Sequence, residues 1–299
     1  MTAVADSLDA AAPARRRGPF MAFVVRLVRE KPLGAIGGVV CVLFLFCGIF
    51  ADVLAPYGFN QPNMLHRLKP PSLAFPFGTD NLGRDMLSRC LYGAQLSVII
   101  GFGAAGLATV ISIVLGILTG YLGGKFDMVT QRFVDAWMSF PELIILIVVV
   151  SVVGPGMPQI IVVLGLALGI AGSRIVRGAV VSVRENMYVH AAQSTGARTF
   201  RILLRHVLPN VMAPVIVLFT NRVGAVILAE SGLSFLGFGV PPPAPTWGGM
   251  LSGSGRAYMY QGPWLAMAPG LCLTVVVYAI AMFGDALRDL LDPRMRGSR

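Results

Sequence analysis

The stretches without charge constrain this chain most. No Asp, Glu, Lys or Arg occurs across residues 32–51, 90–124 or 143–173. A helix that crosses the hydrocarbon core of a bilayer needs about 20 mainly apolar residues. The chain meets that requirement several times over, which makes it an integral membrane protein and its fold class all-α. Composition agrees where it bears on the point. Of the 299 residues 56% are hydrophobic and 13% charged, with a mean hydropathy of +0.75. Soluble domains carry about 25% charged residues.

Six spans are predicted, over about 32–51, 95–122, 133–153, 159–176, 211–231 and 264–284. The third and fourth are separated by GPGMP (154–158), which reads as a turn. The net charge of +10 would suggest nucleic acid in a soluble protein. In a membrane protein, Lys and Arg concentrate in cytoplasmic loops instead. With the N-terminus inside, eighteen basic residues fall in inner segments and five in outer ones, with Arg222 left within the fifth span. Both termini are therefore expected in the cytoplasm of a multi-pass protein, with no nucleic acid partner. The expected organisation is a disordered tail over 1–18, a first helical region with its span over 19–54, and an outer loop over 55–94. A core over 95–287 and a second tail over 288–299 follow. Asp6, Asp9 and Glu30 precede the first apolar run and no clear cleavage site follows it, so that run reads as a retained anchor.

One basic segment interrupts the apolar second half: HAAQSTGARTFRILLRHVLPN, beginning at His190. Asn186 is a plausible N-cap for a short helix to Ser194, and Gly196 suits a left-handed stop. A second helix is expected over 199–208. Phe200, Leu203, Leu204 and Val207 follow i, i+3, i+4, i+7 and form one stripe. Arg198, Arg201 and Arg205 fall opposite, with Ile202 on the arginine side. Pro209 is expected to turn the chain into the fifth span. This geometry reads either as an interfacial helix on lipid headgroups or as a protruding elbow that docks on a soluble partner. The small pair Ala191–Ala192 and Gly196 favour the elbow, because they let another surface approach closely.

At these residues the chain resembles a known family. The pattern AAxxxGxxxxxIxxxxxLP, met here by Ala191, Ala192, Gly196, Ile202, Leu208 and Pro209, is similar to the EAA loop of permease subunits in ATP-driven bacterial importers. His190 stands where that motif has Glu. FGTDNLGRDMLSRCLYGAQLS (77–97) and LAESGLSFLGFGVPPPAPTWGGML (228–251) resemble segments of the C-type permeases of dipeptide, oligopeptide and nickel importers. The resemblance covers about 32–293. It implies a type I importer (MetI-like) permease fold with six spans in the bacterial plasma membrane. It also implies a second, similar permease as partner, cytoplasmic ATPase subunits and an extracytoplasmic binding protein. His190, Ala191, Ala192, Gly196, Ala197, Phe200, Ile202, Leu208 and Pro209 would then form the ATPase contact. ATP and Mg would sit on the partner subunits, with no cofactor or metal on this chain; GYLGGKF (120–126) lacks the spacing of a phosphate-binding loop.

The remaining chemistry is sparse. Charge at membrane depth costs about 2.5–3.5 kcal/mol on insertion scales, which makes Arg222 and Glu230 pathway candidates. The alternatives are that Glu230 braces the outer loop and that Arg222 pairs with the partner permease. Glu142, just after Pro141 in the third span, reads as structural. Asp80, Arg84, Asp85, Pro242 and Trp247 lie in the proline-stiffened outer loops and are candidates for the binding-protein face, or else part of a structural cap. Asp80 reads as the N-cap of the helix entering the second span. An intramembrane protease is disfavoured, because His66, His190 and His206 all lie in loops or at a span edge. A proton-coupled secondary transporter would need acids near the midplane, and most spans have none. Dipeptides lead as expected substrate, with oligopeptides and nickel behind.

Overall fold

The computed structural model describes residues 19–291; the expected tail over 1–18 and residues 292–299 lie outside the described residues. Among the described residues every regular element is helical. An amphipathic α1 (Pro19–Glu30) leads into α2 (Pro32–Ile49), and a single turn, α3 (Ala51–Leu54), ends that span. Lys31 Nζ bridges to Asp289 at 2.5 Å and ties this entry to the last helix.

The second span is longer than its apolar run. Helix α4 (Met86–Leu122) has 37 residues, roughly 55 Å of helix. Its first two turns stand among the loops, where polar Ser88 and Arg89 are buried. The third span departs from expectation. Instead of one helix over 133–153, α5 (Gly124–Met138) and α6 (Glu142–Val153) meet at 88°. Pro141 cannot donate a helical bond and disfavours the α region for the residue before it, so the helix must stop there. Alone, α6 is about 18 Å long, short of a full crossing. The membrane therefore meets five long apolar helices, or six spans if the bent pair counts as one.

The GPGMP turn is where the sequence placed it: Gly154 ends α6 at φ 93° and α7 (Met157–Arg184) follows. Helix α10 (Leu208–Phe235), the single turn α11 (Trp247–Met250) and α12 (Trp264–Leu291) complete the bundle. The broadest interface lies between α4 and α7. It is close because both helices carry glycine four residues apart, Gly116 with Gly120 and Gly165 with Gly169. A β-carbon at Gly116 would stand 2.6 Å from Val176 Cβ. Small residues at this spacing let membrane helices approach to backbone contact. Helix α10 packs across α4, α7 and α12, and α2 closes the bundle against α12 and α4.

Two large apolar cores result, beside a small third cluster of Leu27, Ala286 and Leu290 where α1 meets the last helix. One, at the end bearing the long loops, gathers Met86, Ile100, Ile160, Leu164, Ile227, Leu233 and Trp247. The other, at the elbow end, gathers Ile117, Val176, Val180, Val189, Ile202, Val207 and Val211. Between them α4, α7 and α10 contribute a thin polar layer.

Candidate coupling and pathway sites

The elbow begins with α8 (Met187–Ser194). Asn186 occupies the N-cap position with extended backbone, but its side chain works backward. Its Nδ2 donates to the Val183 carbonyl at 3.0 Å and closes the end of α7. The far end of α8 is a Schellman stop. Ala197 N–H reaches the Ala192 carbonyl at 3.1 Å, Gly196 N–H reaches that of Gln193 at 2.9 Å, and Gly196 has φ 78°. Val189 is fully buried and seats α8 on the elbow-end core, while Gln193 Nε2 donates to Tyr121 Oη at 3.1 Å.

The second elbow helix corrects the expected stripe. After α9 (Thr199–Ile202), residues Leu203–Val207 form a π turn, and Leu208 N–H bonds five residues back to the Leu203 carbonyl. One wide turn shifts the buried face by a residue. The buried series runs Ile202, Leu203, Val207, Val211, Val215, Leu218, so Leu203 and Val207 of the expected stripe are buried and Ile202 joins them. Ile202, expected on the arginine side, is buried at 1% exposure, while Phe200 and Leu204 are 72% and 49% exposed. Nor does Pro209 redirect the chain. It falls in the first turn of α10, and helix continues from Thr199 to Phe235. The expected coupling residues thus divide. His190, Ala191, Gly196, Phe200 and Pro209 are exposed; Ala192, Ala197 and Leu208 are half-buried against the bundle; Ile202 is in its core. Arg198, Arg201 and Arg205 are exposed, and Met187 and Tyr188 extend the exposed face beyond the motif.

The polar layer is built around Arg222. Its Nη1 donates to Ser112 Oγ at 3.0 Å and its Nη2 to the Leu168 carbonyl. Ser112 in turn donates to the Gly169 carbonyl at 2.7 Å. Gly172 supplies the space, since a β-carbon there would overlap the guanidinium. Arg222 is only 6% exposed, and the partners named above lie within this chain. It brackets three helices; a role in the pathway or against a partner permease stays a proposal. Glu142 is exposed at the start of α6. Glu230 is buried at 1% and accepts from Ser234 Oγ at 2.7 Å. Across one side of the layer, Asp127 receives Arg177 Nε at 2.6 Å and Asp135 pairs with Arg174, which fasten α5 to α7.

At the opposite end, the loop over 55–85 is a hydrogen-bonded clasp. Asp80 does not cap α4. Its Oδ1 accepts from Leu82 N–H at 2.8 Å and Arg84 N–H at 2.9 Å, and its Oδ2 accepts from Arg84 Nε at 2.7 Å. The cap is Asp85, which directly precedes the helix and whose Oδ2 accepts from Ser88 N–H at 2.7 Å. Thr79 joins Lys69 in both directions, and Trp264 Nε1 donates to the Thr79 carbonyl at 3.1 Å. Trp247, 1% exposed, donates to the Cys90 carbonyl at 3.1 Å. Asp80, Asp85 and Trp247 therefore hold the cap together from within. Of the five residues expected to face a binding protein, Pro242 is exposed and Arg84 half-buried.

Residues 112–297 match the model of the binding-protein-dependent transport system inner membrane component, and residues 21–71 match the N-terminal transmembrane domain of oligopeptide transport permease C. The chain belongs to this permease family. The dipeptide transport system permease DppC of Alkalihalophilus pseudofirmus is 36% identical, over 90% of this chain and 88% of its own length. The oligopeptide transport system permease OppC of Bacillus subtilis is 37% identical over the same shares. A putative peptide transport system permease of Brucella suis is 38% identical over 99% of each chain. In fold, the permease is similar to a chain of the inward-facing methionine transporter MetNI. The TM-score is 0.56 at 19% identity, covering 69% of this chain and 98% of that one. This is a multi-pass membrane transport subunit of an importer, not an enzyme.

The sequence did not disclose what holds the permease's layer and clasp. Ser112 and Leu168 lie 110 and 54 residues from Arg222, so no local pattern links them. The glycine pairs of α4 and α7 were the available signal. They mark where two backbones touch, and Gly172 continues that face.

Proposed function

We propose that this permease forms half of the transmembrane pathway of an ATP-driven peptide importer, with dipeptides as its first substrate class. The elbow end faces the cytoplasm and the clasp faces outward, which puts the basic surplus inside. The observation that carries the reading is the elbow's exposed face. Tyr188, Ala191 and Phe200 stand clear of the bundle, while Val189 and Ile202 fix the same two helices to its core. A surface presented this way fits a groove on a cytoplasmic ATPase subunit, which would carry ATP and Mg. Because α10 continues directly from the elbow, movement there reaches the membrane layer without an intervening loop. A second permease completes the pathway and an extracytoplasmic binding protein delivers substrate. The relatives named for dipeptides, oligopeptides and peptides support the substrate class, and the first two match almost equally.

The test is uptake of a labelled dipeptide by the reconstituted complex, with excess tetrapeptide or nickel as competitors. Wild-type uptake requires ATP, and Gly196→Pro abolishes it in an assembled complex. Proline cannot adopt φ 78°, nor can it donate the bond to Gln193. Full ATP-dependent uptake in that variant would reject the elbow as the coupling element. Stronger inhibition by tetrapeptide than by an equal excess of unlabelled dipeptide would move the substrate to oligopeptides.

A further inference from the structure

A cavity of about 550 Å³ opens at the clasp end, between the segment around Arg84, the turn at Pro155 and the loop over 237–258. Small-ligand sites run from about 300 to 1,000 Å³. Two arginines line it, Arg84 and Arg89, with side chains 13% and 9% exposed. Each is held from behind. Arg84 rests on Asp80 and, through Nη1, on Asn60 Oδ1 at 3.2 Å; Arg89 Nη1 donates to the Phe59 carbonyl at 2.9 Å. Among the described residues, neither Nη2 has a hydrogen-bond partner. Asp80, the one carboxylate the two share, is fully buried and does not line the cavity. No Asp or Glu lines it at all; the other polar walls include Asn81, Ser254 and Tyr258. Asp80 is the carboxylate paired with both arginines, while Glu230 stands one hydrogen bond behind the lining Ser234 and Asp85 caps the helix that carries Arg89. Two arginine donor forks thus line a partly desolvated recess, where Coulomb interactions are stronger than in water.

We propose that this cavity is a carboxylate-binding site. A planar carboxylate matches the donor fork of arginine. Under the importer reading, on which this inference rests, two carboxylates reach this face: the free C-terminus of an arriving peptide and an acidic side chain of a docked binding protein. The geometry serves both, because the guanidinium groups are already oriented and little ordering is lost on binding.

The test places an opposing charge on either wall. Asn81→Asp and Ala257→Asp are made separately in the full complex in nanodiscs, since replacing Arg84 would also strip Asp80 of its partner. Alanyl-alanine and its C-terminal amide are titrated calorimetrically without binding protein, and binding-protein docking is measured in parallel. Weakening of alanyl-alanine by about tenfold in both variants, with the amide unchanged, assigns the site to the peptide terminus. A comparable loss of docking, with peptide binding unchanged, assigns it to the binding protein. If both assembled variants bind peptide and binding protein as wild type does, the proposal is overturned. ATP-dependent uptake by the wild-type complex is recorded alongside. Its absence would count against the importer reading alone, because calorimetry judges the cavity independently of transport.

Discussion

The two ends of the bundle are built on different principles. At the clasp end, the apolar core is covered by a network in which backbone and side chain repeatedly meet: Thr79 with Lys69, Asp80 with Arg84, Trp247 with Cys90. At the elbow end, the core is mainly valine, isoleucine and leucine, and the helices over it are short. The π turn makes one of the junctions. One end is fixed by directional bonds that tolerate little displacement. The other rests mainly on non-directional packing, with the Gln193–Tyr121 bond as a cross-link. An elbow that moves as proposed would need the second kind of foundation, and a preorganised binding surface the first.

This contrast can be broken at four places. Trp247→Ala removes the largest fully buried side chain and the bond to Cys90. It should cost about 3–5 kcal/mol and lower the melting temperature of the purified complex more than any single alanine at the elbow. Gly172→Ala drives a methyl group into Arg222 and attacks the boundary between the ends. A loss of about 1–3 kcal/mol is expected by thermal melting; wild-type stability would mean that the bracket can relax. Asp85→Ala deletes the α4 cap and should cost about 0.5–2 kcal/mol, read as faster hydrogen exchange in the first turn of α4. Phe200→Ala sharpens the comparison from the other side. Its ring is 72% exposed, so stability should change by less than about 0.5 kcal/mol while ATP-coupled uptake falls. Unchanged uptake would remove Phe200 from the contact surface.

How much of this was legible depended on the range of the interaction. Long uncharged runs located the spans, because lipid imposes its demand locally, residue by residue. The stop at Gly196 and the turn at GPGMP were equally local. The bend between α5 and α6 was not inferred, although Pro141 was in view, because an apolar run records length and not direction. The elbow stripe held at Leu203 and Val207 and failed at Phe200 and Leu204: a period of 3.6 was carried across Leu203–Val207, where the turn is wider. Asp80 and Asp85 were hard to tell apart as caps, since either can precede a helix and the loop fold decides between them. The Arg222 bracket lay beyond sequence reasoning, because it joins residues from three helices.

Gly172 and Arg222 carry a consequence for how such a chain can drift. Any side chain at 172 competes for the volume that the guanidinium fills. Loss of the arginine would leave the Ser112 hydroxyl and the Leu168 carbonyl short of a donor in a buried layer. Neither position is free to vary while the other is retained. The two are expected to be inherited as one character spread over two codons, so that a lineage leaving this arrangement would cross a less stable intermediate or change both at once.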